Sequence, residues 1–140
     1  GYCAAPAPLM HEFRKTHQFN VFSVDHPVQW AMAEYLENET HYLGLNAFYQ
    51  EKRDFFLNGL RNSRFKFIPS EGTYFQLLDY SDITDEGDVA LAKRLTIENK
   101  LASIPMSVFN LGQRDDKLLR FCFAKTEDTL EKATAILSKI

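Results

Sequence analysis

Arg120 is the residue of this sequence whose type and surroundings most directly imply chemistry. It lies in "KLLRFCFAKTEDTL", residues 117–130, an apolar run of period two in which Leu119, Phe121 and Phe123 fall on one side and Leu118, Arg120 and Cys122 on the other. A guanidinium keeps its proton at any ordinary pH, so on a covered face it needs a carboxylate or phosphate partner, supplied by the protein or by a ligand. Its planar fork suits a carboxylate, gripped by two parallel charge-assisted hydrogen bonds. The loop "IPMSVFN", residues 104–110, leaves a strand through a proline and carries a hydroxyl and a ring at its tip. Loops mounted on a rigid sheet are common places for ligand contacts. Together these residues read as an acid-binding pocket, against the plainer reading of an edge-strand arginine with its head in water.

Other spacings lead nowhere. Ser63 and Lys66 have the S-x-x-K interval of serine acylases, but that pair needs consecutive helical turns, and here the serine ends a helix while the lysine sits in a strand. "RFCFA" has the aromatic alternation of strands that stack on RNA bases, yet the accompanying glycines are missing and the chain is acidic, so Phe121 and Phe123 read as core. His11, His17, His26 and His41 form no ligand-spaced cluster, which leaves no metal site. No nucleophile, base and orienting residue can be assembled, so no catalytic residue is assigned.

The 140 residues are 45% hydrophobic and 14% aromatic, enough for one compact core that buries roughly two-thirds of the unfolded surface. A net charge of −3 gives no electrostatic footprint for nucleic acid or an anionic membrane. No apolar run approaches the roughly 18 to 20 residues of a membrane span, and "GYCAAPAPLM" lacks the charged start of a signal peptide. Cys3 and Cys122 lie far apart among small or apolar residues, the usage of a reduced, cytoplasmic protein. The chain has no initiator methionine and opens on a strand-like stretch, residues 2–5, whose partner strand it does not contain; this predicts a piece of a longer protein.

The elements that must position Arg120 follow from periodicity and capping. Leu9, Met10, Phe13 and His17 mark a helix starting near Pro8, and "FNVFSV" breaks it into a connector. Asp25 caps a second helix, with Pro27 in its first turn and Val28, Ala31, Met32, Tyr35 and Leu36 on its apolar stripe. Thr40 opens a long helix running to about Arg61. Phe65 to Phe67 and "TYFQLLDY" read as a hairpin around "PSEG". A capping arrangement of Asp85 and Asp88 begins a helix to about Asn99, "LASI" is a third strand, and Thr126 caps a last helix with Leu130, Ala133 and Leu137 inward. The order strand, strand, helix, strand, strand, helix specifies an α+β fold, one small sheet with helices on a face.

Five stretches, "GYCAAPAPL", "HQFNVFSVDHPVQ", "EGTYFQLLDYS", "IPMSVFN" and "LLRFCFAKTEDTLEKA", together resemble the C-terminal part of class I/II, fold type I aminotransferases dependent on pyridoxal 5'-phosphate. The likeness is greatest to the kynurenine and methionine aminotransferase branch and runs over essentially the whole chain. It implies that Arg120 binds the α-carboxylate of an amino-acid or 2-oxo-acid substrate. It implies that Phe22 reaches into the neighbouring subunit's substrate pocket in a homodimer, and that Ser107 and Phe109 lie on a loop at the pocket entrance. Ser23 stands where some kynurenine-active members carry histidine. Residues 1–25 are then the end of a large cofactor domain, and residues 26–140 the small C-terminal domain with its long connecting helix. The Schiff-base lysine and the other cofactor-binding residues of the family precede "GY", so the resemblance implies an enzyme whose C-terminal 140 residues are inactive alone. Without the resemblance, a free-standing α+β module that binds a carboxylate or a protein partner through Arg120 stays open.

Overall fold

The computed structural model describes all residues, Gly1–Ile140, and its backbone contacts divide them into two units, Gly1–Gly44 and Leu45–Ile140. The first unit is helical. Helix α1, Ala7–Asn20, starts behind Pro6 with Pro8 in its first turn, where a missing N–H costs nothing, and ends as Val21 turns to extended backbone. Helix α2, His26–Leu36, is capped as expected: the Asp25 carboxylate accepts from the Val28 N–H at 3.1 Å. The short helix α3, Thr40–Leu43, follows. No residue of this unit is buried; Phe13, Phe19, Phe22, Trp30, Met32 and Leu36 are all exposed.

The second unit holds the core. Helix α4, Leu45–Gly59, and helix α6, Glu127–Leu137, pack against a three-stranded antiparallel sheet made of β1, Phe75–Asp79, β2, Ile104–Pro105, and β3, Leu118–Cys122. The strand order is β1-β3-β2, so the arginine strand is central, and helix α5, Asp88–Asn99, lies between β1 and β2 in sequence. Alternation decides the faces. Gln76 and Leu78 of β1 pair with Phe121 and Leu119 of β3, and all four are buried on one side. Phe56 of α4 reaches that side to meet Phe121, and Leu60, Tyr80, Leu91, Leu95, Phe123, Leu130 and Leu137 complete the core. Thr126 caps α6 as the sequence predicts, accepting from the Thr129 N–H at 3.4 Å.

Several elements differ from expectation for identifiable reasons. Residues 1–6 carry no strand, since a lone extended segment has nothing to satisfy its backbone donors and acceptors. The long helix expected from Thr40 breaks at Gly44, a residue with poor helix propensity. The first hairpin strand shrinks to one bridge, Lys66 opposite Asp79. Beyond it the Gln76 side chain replaces the ladder, donating to the Ile68 carbonyl at 2.8 Å and accepting from the Ser70 N–H at 3.0 Å, around Pro69, which has no N–H to offer. "LASI" forms a strand only from Ile104, because Leu101 is held back by its N–H bond to the Leu95 carbonyl beyond the left-handed Lys100. Helix α5 starts later than Asp85, with Gly87 as its N-cap and no side-chain cap bond there.

Candidate functional site

The site is built on the open side of the sheet. On β3, Leu118, Arg120 and Cys122 face away from the core, opposite Asp79, Leu77 and Phe75 of β1, and Ile104 of β2 pairs with Arg120 from the other edge. The arginine therefore leaves the middle of the sheet between apolar neighbours, half-buried. Its guanidinium carbon lies 4.6 Å from the centroid of the Phe75 ring and 5.5 Å from that of Phe109. Both distances are within the range where a ring's negative face attracts a cation. The guanidinium makes no ion pair and no side-chain hydrogen bond, whereas Arg53, Arg94 and Arg114 each hold a carboxylate. Rings that hold the group by its face leave its N–H edge available to a planar anion. Beside it opens a cleft of about 390 Å³ with walls from both faces of the sheet, Phe75 and Arg120 from the open side and Phe56, Phe121 and Leu130 from the core side, with Ser103 between. The Ser103 hydroxyl is buried and has no hydrogen-bond partner.

The loop between β2 and β3 brings Phe109 to the arginine. Ser107–Phe109 form one 3-10 turn, closed by the Phe109 N–H on the Met106 carbonyl at 3.1 Å. Phe109 is 61% exposed. Ser107 is only 5% exposed and faces the protein: its N–H and its hydroxyl each donate, at 2.7 Å, to the two carboxylate oxygens of Asp88. Its hydroxyl is thus engaged within the fold. Phe22 belongs to the first unit, in the connector between α1 and α2, where its ring is fully exposed. Of the residues expected at a site, the structure brings Arg120 and Phe109 together.

A family model for aminotransferase class I and II matches residues 1–137. The chain belongs to the class I and II aminotransferase family. Among relatives of this aminotransferase chain, methionine aminotransferase of Escherichia coli is 48% identical over 100% of this chain and 36% of its own length. A kynurenine–oxoglutarate transaminase of Dictyostelium discoideum is 32% identical over 100% of this chain and 37% of its own. The crystal structure of the Escherichia coli methionine aminotransferase superposes with a TM-score of 0.91, covering 100% of this chain and 37% of that one. N-succinyldiaminopimelate aminotransferase from Mycobacterium tuberculosis, 30% identical, superposes with a TM-score of 0.86 over 97% of this chain and 36% of that one. The chain thus spans about a third of the length of the relatives it matches, and its helices and three-stranded antiparallel sheet are those of a small C-terminal α+β domain of the aminotransferase fold.

Two residues of the site were not singled out from sequence. Phe75 shares the Arg120 face through the β1–β3 register, a placement that the alternation of "TYFQLLDY" contains once the pairing is known. Asp88 reads in sequence as a helix-start residue only, because its partner Ser107 lies 19 positions away.

Proposed function

We propose that this chain supplies substrate-carboxylate recognition to an aminotransferase that moves an amino group between an amino acid and a 2-oxo acid, with Arg120 as the carboxylate-binding group. The observation that carries the reading is the Arg120 guanidinium itself: held against the rings of Phe75 and Phe109, lining a cleft, with no acidic partner from its own chain. A half-buried cation left unpaired is costly unless a ligand completes it. Family membership supports the ligand being a substrate acid.

The family's cofactor, pyridoxal 5'-phosphate, does not fit the residues of this chain. Its tether is a lysine in an enclosed site, and no lysine here is buried. The ammonium of Lys66 pairs with Asp82, and those of Lys100 and Lys117 are spent on backbone carbonyls. When bound, the cofactor supplies the electron sink for amino-group transfer. In this proposal it is held by residues outside the chain, which alone is inactive. The expected boundary after residue 25, a homodimer with Phe22 serving the neighbouring subunit, and a cytoplasmic setting belong to the same reading; two free cysteines agree with the last.

Arg120→Ala in the complete aminotransferase tests the assignment. A loss of at least about tenfold in kcat/KM, roughly 1.4 kcal/mol of transition-state binding, is expected. Unchanged kinetics would sink it.

A further inference from the structure

Asp88 is a charged residue in the core that the carboxylate-binding reading leaves without a role. It is 2% exposed, and it stands at the first position of α5, where the unpaired N–H groups of a helix start favour a negative charge. Both of its oxygens are used on one distant residue, Ser107, at 2.7 Å each. Its own N–H donates to the Asp115 carboxylate at 2.9 Å, and Asp115 in turn accepts from the Lys117 N–H at 2.8 Å. The loop between β2 and β3 is therefore fastened near both ends to one residue of α5. Ser107 holds its beginning and Asp115 its end.

What the fastening positions is Phe109. It lies in the same 3-10 turn as Ser107, so a fixed Ser107 leaves the ring little freedom, and the ring is one of the two against the Arg120 guanidinium. The other, Phe75, is set by the sheet. Exposed as it is, Phe109 has no core packing to keep it in place; its anchor is the buried pair of charge-assisted hydrogen bonds two residues upstream.

We infer that Asp88 is a positioning residue for substrate binding, acting through Ser107 to hold Phe109 over the Arg120 guanidinium. Loss of the Asp88 carboxylate releases the turn, and the guanidinium then meets an incoming carboxylate without one of its two ring supports. The effect falls on binding of the acid, because Asp88 is buried, does not line the cleft, and reaches Arg120 only through the turn that carries Phe109.

The inference rests on Arg120 being the carboxylate-binding group, and the experiment separates the two. In the full-length aminotransferase, Asp88→Ala, Asp88→Asn and Arg120→Ala are compared by steady-state kinetics with an amino acid that the parent turns over. Asp88→Ala is expected to raise KM about tenfold with kcat within about twofold. Asp88→Asn, which still offers an oxygen to the Ser107 N–H and an amide to its hydroxyl, is expected to recover most of that loss. A merely structural role would lower the active fraction, and so kcat, while leaving KM alone; that pattern, or wild-type kinetics in Asp88→Ala, overturns the inference. Should Asp88→Ala not fold, Ser107→Ala removes only the hydroxyl bond and is expected to raise KM about threefold, an unchanged KM overturning the inference. Wild-type kinetics in Arg120→Ala would instead overturn the carboxylate assignment itself.

Discussion

Gly59 at the end of α4 lies so close to Thr134 of α6 that a methyl group on it would sit 2.7 Å from the threonine Oγ1 and 2.8 Å from its Cβ. The glycine is there for approach. Thr134 is itself buried and its hydroxyl donates to the Glu131 carbonyl, so it has little room to yield. Gly59→Ala is expected to destabilise the chain by about 1–3 kcal/mol through overpacking, despite the better helix propensity of alanine. The midpoint of urea unfolding measures it, and an unchanged or higher midpoint would show that the two helices can part without cost.

Arg120→Lys keeps the charge and loses the planar group. An ammonium cannot lie flat on Phe75 and offer a two-pronged edge at once. In the complete enzyme this variant is expected to fall short of wild type by about tenfold in kcat/KM. Full activity in the lysine variant would mean that charge alone is read.

Gln76 takes the place of a strand. Its amide serves the Ile68 carbonyl and the Ser70 N–H where backbone pairing stops, and it is fully buried. Gln76→Leu fills the space but orphans these two groups and the Leu77 carbonyl, which the same amide also serves, at about 1–3 kcal/mol each. Thermal unfolding should show the loss, with earlier proteolysis of residues 66–72.

Tyr80 is fully buried, and its phenol is raised above the ordinary value of 10.0, first by burial and then by the Asp115 and Asp88 carboxylates. In the unfolded chain the phenol ionises near that ordinary value, while in the folded chain it stays protonated. The stability tied to this difference is complete below pH 10 and falls as the pH climbs beyond it. Tyr80→Phe removes the hydrogen bond to the Glu86 carbonyl and lowers stability at neutral pH, but should flatten the alkaline decline. Unfolding curves at pH 9 and above, for both proteins, check the slope.

Local chemistry was legible in the sequence where it was local in the chain. The Asp25 and Thr126 caps act on residues three positions away, and the alternation that buries Leu119 and Phe121 is a property of the strand itself. The arginine's isolation from core carboxylates could likewise be posed from its own neighbours. What escaped depends on distant partners: the serine that occupies Asp88, the glutamine side chain that ends a hairpin early, and the phenylalanine of β1 that reaches Arg120 through register. The hydroxyl of Ser107 read as an exposed loop group because its buried acceptor, Asp88, lies 19 positions upstream. Gly44 could have been read as a break, since glycine inside a helical pattern carries a cost of about 1 kcal/mol.

The central place of β3 has a consequence for amide hydrogen exchange. The amides of Leu119 and Phe121, on either side of Arg120, face β1 and can meet solvent only when the sheet comes apart, so they should exchange near the global rate with or without a bound acid. The mount of the charge is as slow to open as anything in the unit. Protection gained on ligand binding should therefore appear at the amides of Ser107–Phe109, and a carboxylate's arrival would be recorded by the turn that carries the ring and not by the strand that carries the arginine.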